Sequence, residues 1–334
     1  MSSRRSLLIA AGLLAPALAL AACGSSSSSS SAASTAAAGG AKTVGADTYI
    51  PVISKGFQHQ FWQAVKQGAE KAASDNKVKI TFEGTDNESQ VDKQLELLQT
   101  ALTKNPSAIC LAALDSKAAV PLLQQAKSRN IPVVGFDSGV DSDIPVATVA
   151  TDNTVAAGVA ADKLAEKIGK SGEVAVIVHD QTSQTGTSRR DGFLESIKKY
   201  PGIKVVDVQY GGGDPLKSDD LTRAIIKAHP NLKGIFAANE GSANGVLNAL
   251  KGTGTENKIA LAGYDAGKQQ KDAVRSGVEF GAIAQDTVNI GYKCVETAIK
   301  AAKGETVEKS IDTGYKWYDK ANIADAELQP LLYD

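Results

Sequence analysis

The chain is poor in the side chains on which most metal and nucleophilic chemistry draws. It has three histidines, His59, His179 and His229, scattered over 334 residues with no metal-ligand spacing among them, which argues against a zinc enzyme. Cysteine is as scarce, with Cys23, Cys110 and Cys294 alone. Cys110 sits in the apolar run Ala108-Ile109-Cys110-Leu111-Ala112-Ala113 and Cys294 in a helical pattern, so both read as small buried hydrophobes rather than a disulfide, a metal pair or a nucleophile. No excess of charge exists either. The 36 Lys and Arg nearly balance the 37 Asp and Glu, for a formal net charge of −1, so the chain has no basic field to hold a polyanion such as nucleic acid. A Ser-His-Asp order, a nucleophile elbow and a metal motif are all missing.

What is present begins at the N-terminus. Ser3-Arg4-Arg5-Ser6 precedes an apolar run over residues 7–22, shorter than the roughly 20 apolar residues of a comfortable membrane span and broken by Gly12 and Pro16. It reads as an export signal, of the Sec or the twin-arginine kind. The signal ends in Leu20-Ala21-Ala22-Cys23-Gly24, which resembles the lipobox of bacterial lipoproteins. That resemblance implies acylation of Cys23 and a lipid anchor on the cell membrane. Residues 25–41 are only Ser, Ala, Thr and Gly, with nothing to offset the entropy of ordering them. Such a tether of about 20 residues has a reach of roughly 25 Å.

The remaining body exceeds one typical core and suits two domains. Short β-branched runs, at 49–54, 78–83, 108–113, 132–137, 146–150, 174–178, 204–210, 234–238, 259–264 and 280–285, alternate with amphipathic stretches of helical period. The pattern predicts an α/β fold of two Rossmann-like, doubly wound parallel-sheet lobes. The expected organisation is a signal at 1–22, a tether at 23–44, a first lobe of 45–150 plus 287–312, and a second of 151–286 plus 313–334. Strands cross between lobes near Asp152, Gln285 and Thr313 to form a three-stranded hinge. In open α/β sheets ligands bind beyond the carboxyl ends of the strands, and here those ends carry Ser54, Asp137, Asp180, Asp214, Asn239-Glu240, Asp265 and Gln285. Taken singly each such residue is a helix cap, but their recurrence in both halves marks a cleft site.

The stretch from Pro51 to Ala69, with Ile131-Pro132-Val133-Val134-Gly135-Phe136-Asp137, Arg189-Arg190-Asp191-Gly192-Phe193, Ile235-Phe236-Ala237-Ala238-Asn239-Glu240, Leu261-Ala262-Gly263-Tyr264-Asp265 and Ala284-Gln285, resembles the type I periplasmic binding proteins for sugars, the ribose-binding group. The resemblance covers essentially the whole body after the tether. It implies ligand contacts from Ser54, from His59 at a position where the family often has asparagine, and from Phe61 and Trp62 stacking on the sugar ring. Asp137 matches the acid that accepts from sugar hydroxyls, followed by Ser138 where an arginine is frequent. Arg189, Asn239, Asp265 and Gln285 match the polar contacts of the second lobe and hinge. Gly211-Gly212-Gly213-Asp214 replaces an aromatic platform, which suggests a roomier pocket or a backbone contact to ligand. Lys55, with the Asp214 turn, is similar to the branch that binds the furanosyl autoinducer-2 and rhamnose.

These features imply a lipid-anchored, monomeric solute-binding protein of an ABC importer, free of cofactor and metal, that closes on a monosaccharide or similar polyol and presents the closed form to a membrane permease. The competing readings are a receptor feeding a membrane sensor or chemoreceptor, and an extracellular glycosidase using Asp137 and Asp265 as its carboxylate pair.

Overall fold

In a computed structural model, Gly45 and residues 47–334 are described; the expected signal segment, Cys23 and the serine tether lie outside them. The first apolar runs form β1 (Tyr49–Ile53), β2 (Lys79–Glu83), β3 (Ile109–Leu111), β4 (Val133–Phe136) and β5 (Ala147–Ala150). Between them lie α1 (Gln60–Asn76), α2 (Val91–Thr103) and α3 (Val120–Ser128). The chain then builds a second series of α4 (Asn153–Lys167), β6 (Ser171–Val178), α5 (Gln184–Ile197), β7 (Gly202–Tyr210) and α6 (Pro215–Ala228). It continues through β8 (Leu232–Ala237), α7 (Glu240–Thr253), β9 (Ala260–Tyr264), α8 (Lys268–Ser276) and β10 (Gly281–Gln285). Last come α9 (Thr287–Ala302), β11 (Ser310–Asp312) and β12 (Tyr315–Asp319).

The strands make two six-stranded sheets of the same plan, β2-β1-β3-β4-β5-β11 and β7-β6-β8-β9-β10-β12. Each order reverses direction beside its first strand, between β1 and β3 and between β6 and β8, and such reversals open a crevice at the strand ends. Strands β1 and β3 alternate their burial between two covering layers: Val52 and Cys110 join the core under α1 and α9, while Ile53 and Leu111 join the one under α2 and α3. That two-sided burial is why the central strands read as continuous apolar runs. Helices α1 and α9 touch closely because Gly68 has no Cβ, which would lie 1.8 Å from the Val288 carbonyl.

Three features depart from the sequence reading. Strands β11 and β12, which flank the expected crossing at Thr313, are not among the ten apolar runs, and β12 pairs antiparallel to β10, Gly281 opposite Asp319, so the second sheet is mixed. Cys110 and Cys294 are not free thiols but a disulfide joining β3 to α9, with Cα atoms 6.3 Å apart; the sheet brings together residues 184 apart in sequence, a proximity no local pattern carries. Helices α5 and α6 begin at Gln184 and Pro215, earlier than the helical periodicity over 188–199 and 218–228, because Ser183 and Asp214 accept from the Gly186, Leu216 and Lys217 N–H groups and cap them.

The chain passes between lobes after β5, after β10 and between β11 and β12. These crossings are tied together: Thr151 Oγ1 donates to the Gly314 carbonyl at 3.2 Å, and the Asp152 and Gly314 N–H groups both donate to Asp312 Oδ1. Asp152 and Asp286 cap α4 and α9. Among the described residues, no helix is long and apolar enough to cross a membrane.

Candidate functional site

The carboxyl ends of the two sheets enclose a small cavity between the lobes, with about 20 Å³ open to the centre of a water molecule. Its wall carries Lys55, His59, Phe61, Trp62, Asp137 and Arg189, with Asn239, Asp265 and Gln285. Nine of the sequence-derived candidates therefore converge.

From the first lobe, α1 supplies the aromatic pair. Phe61 and Trp62 meet edge to face at 4.9 Å and 89°, and Trp62 meets Phe136 nearly perpendicular, which fixes both rings. Asp137 follows β4 at φ +55, and Asp265 follows β9 at φ +81, a left-handed geometry that a short acid tolerates better than most side chains. Burial pushes the Asp137 carboxyl up to about 6 despite the pull of Lys55 and Arg189. Burial also raises Asp265, against the opposing effects of Arg189 and of the Gln285 amide.

From the second lobe, Arg189 is held on three sides. Its Nε donates to Asn153 Oδ1 at 2.7 Å and Nη1 to the Ala238 carbonyl at 2.9 Å, while its guanidinium lies 3.8 Å from the Tyr264 ring centre. Nη2 remains directed at Asp137, 3.9 Å away across the cleft. Burial opposes its charge, but Tyr264, Asp265 and Asp137 outweigh burial and reinforce it. Gln285 donates to Asp265 Oδ1 at 2.7 Å, and its Oε1 is buried without a partner. Asn239 accepts from the Ser242 N–H and so also caps α7.

Lys55 crosses from the first lobe to Ser183 Oγ at 3.4 Å and Thr185 Oγ1 at 3.2 Å, with Asp180 at 3.7 Å. Asp180, although largely buried, is held far below the ordinary carboxylate range by Lys55, His179 and the Ser183 donors. Burial and the Lys55 charge keep His179 neutral.

Three candidates stand off the wall. Ser54 is buried behind it, donating to the Gly56 and Glu83 carbonyls. Ser138 is buried beside Thr185, whose N–H points at its hydroxyl at 3.5 Å. Asp214 is exposed and occupied as the cap of α6, accepting from Leu216 and Lys217. The glycine turn does not enlarge the pocket: a Cβ on Gly213 would lie 2.8 Å from Glu88 Oε2, so the turn makes room for that acid of the other lobe.

Sequence reasoning gave no ligand role to four lining residues, Glu88, His179, Thr185 and Glu240. Glu240 was visible beside Asn239 at a strand end. Its carboxylate reaches across the cleft to the Gln60 and Phe61 N–H groups, 3.0 Å each, at the start of α1. Glu88 lies in the polar stretch Asp86-Asn87-Glu88-Ser89-Gln90, which carries no mark of a site.

The periplasmic binding protein domain family matches residues 50–306. The D-allose-binding periplasmic protein of Escherichia coli is 29% identical over 264 residues, covering 77% of this chain and 85% of that protein. The ribose import binding protein of the same organism is 28% identical, over 80% and 89%. Among solved structures, a carbohydrate transporter solute-binding protein from Agrobacterium radiobacter in complex with D-arabinose superposes with a TM-score of 0.83 at 33% identity, covering 86% of this chain and 99% of that one. An ABC transporter solute-binding protein from Agrobacterium vitis with bound D-fucose has the same TM-score and identity, over 85% and 100%. Two lobes of one strand order, a polar cavity where their sheets meet, and a family match over most of the body agree: the chain belongs to the periplasmic binding proteins.

Proposed function

We propose that this protein binds a monosaccharide between its lobes and delivers it to the permease of an ABC importer. The convergence of Asp137, Arg189 and Gln285 beside an aromatic pair, on the wall of one cavity between the lobes, carries the reading. A sugar ring offers donors and acceptors around its edge and C–H groups on its faces. Asp137 accepts from hydroxyl groups, Arg189 Nη2 and Lys55 Nζ donate to them, Gln285 Oε1 accepts, and Phe61 and Trp62 cover a face. Relatives named for allose and ribose, and neighbours holding arabinose and fucose, favour this over the autoinducer reading. Contacts from both lobes make ligand and closure mutually stabilising.

A thermal-shift screen over pentoses, hexoses, deoxysugars and polyols tests it. A ligand at 100 times its Kd stabilises by about 2.7 kcal/mol, and Arg189→Ala abolishes the shift at the same concentration. A screen without a shift, or an Arg189→Ala protein that binds as tightly as wild type, contradicts the proposal.

We infer further that the protein works outside the cytoplasm, held to the membrane by lipid on Cys23, with the Ser and Ala tether allowing the body to reach a permease. Cys23→Ser then releases it into the soluble fraction; retention of that variant at the membrane contradicts the anchor.

A further inference from the structure

We propose that Glu88 and His59 form a hydroxyl-recognition pair that decides which monosaccharide the cleft accepts; this rests on the sugar-binding reading above. Glu88 is a buried acid of the loop between β2 and α2, and three neighbours fix its carboxylate. Trp62 Nε1 donates to Oε1 at 2.7 Å, and Asn239 Nδ2 of the other lobe approaches Oε2 at 3.4 Å. The Gly213 backbone, at φ +68, closes the third side. These contacts leave part of the carboxylate's acceptor capacity unused.

His59 Nε2 is buried, has no hydrogen-bond partner and stands 3.9 Å from Glu88 Oε1. That separation is too long for a direct hydrogen bond, yet one oxygen beside the two atoms reaches both at ordinary donor–acceptor distances. A sugar hydroxyl there donates its proton to Glu88 and accepts from His59, because the adjacent carboxylate favours the ring tautomer with the proton on Nε2. Lys55 also faces Glu88, and although burial opposes it, the Lys55 charge and the Trp62 donor hold the Glu88 carboxyl below the ordinary range. Glu88 is therefore a fixed anionic acceptor. It is seated by the glycine turn.

A site built around a hydroxyl rejects the analogue that lacks it much more strongly than it rejects a change of size. The test is calorimetric titration of the full-length protein with D-ribose, D-allose and D-arabinose, then with each monodeoxy derivative of the sugar that binds. Wild type should lose about 100-fold in affinity for one derivative. Glu88→Ala and His59→Phe should each weaken the parent sugar at least about tenfold and reduce the penalty at that one position to about threefold or less, leaving the other positions unchanged. Glu88→Gln keeps the shape and guards against a folding defect; it should show the same flattening with an unaltered melting temperature. If the parent sugar binds and the deoxy profile of Glu88→Ala and Glu88→Gln matches wild type, the pair is overturned while the sugar-binding reading stands. If neither these three nor any sugar of the thermal-shift screen binds wild type, both fall.

Discussion

Asp137 and Asp265 are set alike at the ends of β4 and β9, each with positive φ and each with its N–H bound to the neighbouring strand, at Val149 and Ile283. They differ in what faces them. Asp265 is occupied by the Gln285 amide and the Glu240 N–H, whereas Asp137 has Lys55, Arg189, Asp265 and Glu88 as charged neighbours and only the 3.9 Å approach of Arg189 as an ion pair. With its folded pKa raised from 3.8 to about 6, Asp137 contributes to the stability of the closed form fully below pH 3.8, and that contribution is lost as pH rises through about 6. The difference reaches at most about 3 kcal/mol. Asp137→Asn should therefore flatten the pH dependence of the melting temperature between pH 4 and 7; an unchanged slope would count against burial as the cause. A sugar donating to Asp137 should release a proton near pH 6, read as a buffer-dependent binding enthalpy that the same variant lacks.

Arg189 makes a second residue-level case. Its fork spans Asn153, the Ala238 carbonyl and the face of Tyr264, a geometry that a point charge cannot reproduce. Arg189→Lys is expected to weaken ligand binding at least about tenfold. Retention of affinity would mean that charge alone suffices.

At the scale of elements, α1 lacks a side-chain cap of its own. His59 at its N-cap makes no side-chain hydrogen bond, and the first N–H groups are satisfied instead by Glu240, whose partners at Gln60 and Phe61 belong to the other lobe. Opening the cleft uncaps the helix that carries Phe61 and Trp62. Glu240→Ala should cost the closed form about 1 kcal/mol and raise the ligand-free radius of gyration in X-ray scattering; a radius identical to wild type would show that the cap does not bias closure. The disulfide joins β3 to α9 away from the cavity wall. Replacing both cysteines by serine should cost about 2–5 kcal/mol of stability with ligand affinity kept within a few fold, and thiol labelling of unfolded, unreduced protein should find neither sulfur free.

The sequence showed these elements unevenly, for physical reasons. The central strands are legible because apolar residues on both faces make runs, and edge strand β2 because Ile80 and Phe82 alternate with polar residues. Strand β11 has one apolar residue, Ile311, and β12 is mostly half-buried, so neither stands out. Phe61, Trp62, Asp137 and Arg189 fall in motifs of fixed spacing within elements, which a chain reading can find. Glu88 does not: only the fold brings the Trp62 indole, Asn239 and Gly213 around it. The apolar setting of Cys110 and Cys294 is true of both residues, yet their pairing depends on α9 returning to the first lobe.

Across the whole molecule, direct contacts between lobes hold a closed arrangement. The Ser116 N–H donates to the Thr182 carbonyl at 3.0 Å, the Lys268 N–H to Gln60 Oε1 at 2.7 Å, and Lys55 reaches Ser183 and Thr185. Gly213 is a further control point, since its positive φ and its approach to Glu88 both exclude a side chain. Gly213→Val should keep the lobes apart, seen as a larger radius of gyration with saturating sugar and weaker binding; a variant that compacts like wild type would refute this.

The return of α9 to pack on α1 also sets an order of events for a chain that emerges N-terminus first. Strands β1 to β5 are made early, but the helix that covers them spans residues 287–302 and follows nearly all of the other lobe. The early half must therefore wait, with Val65 and Ala69 of α1 uncovered, while the later half can complete most of its sheet unaided. Any fragment ending before residue 287 leaves the first lobe without its roof.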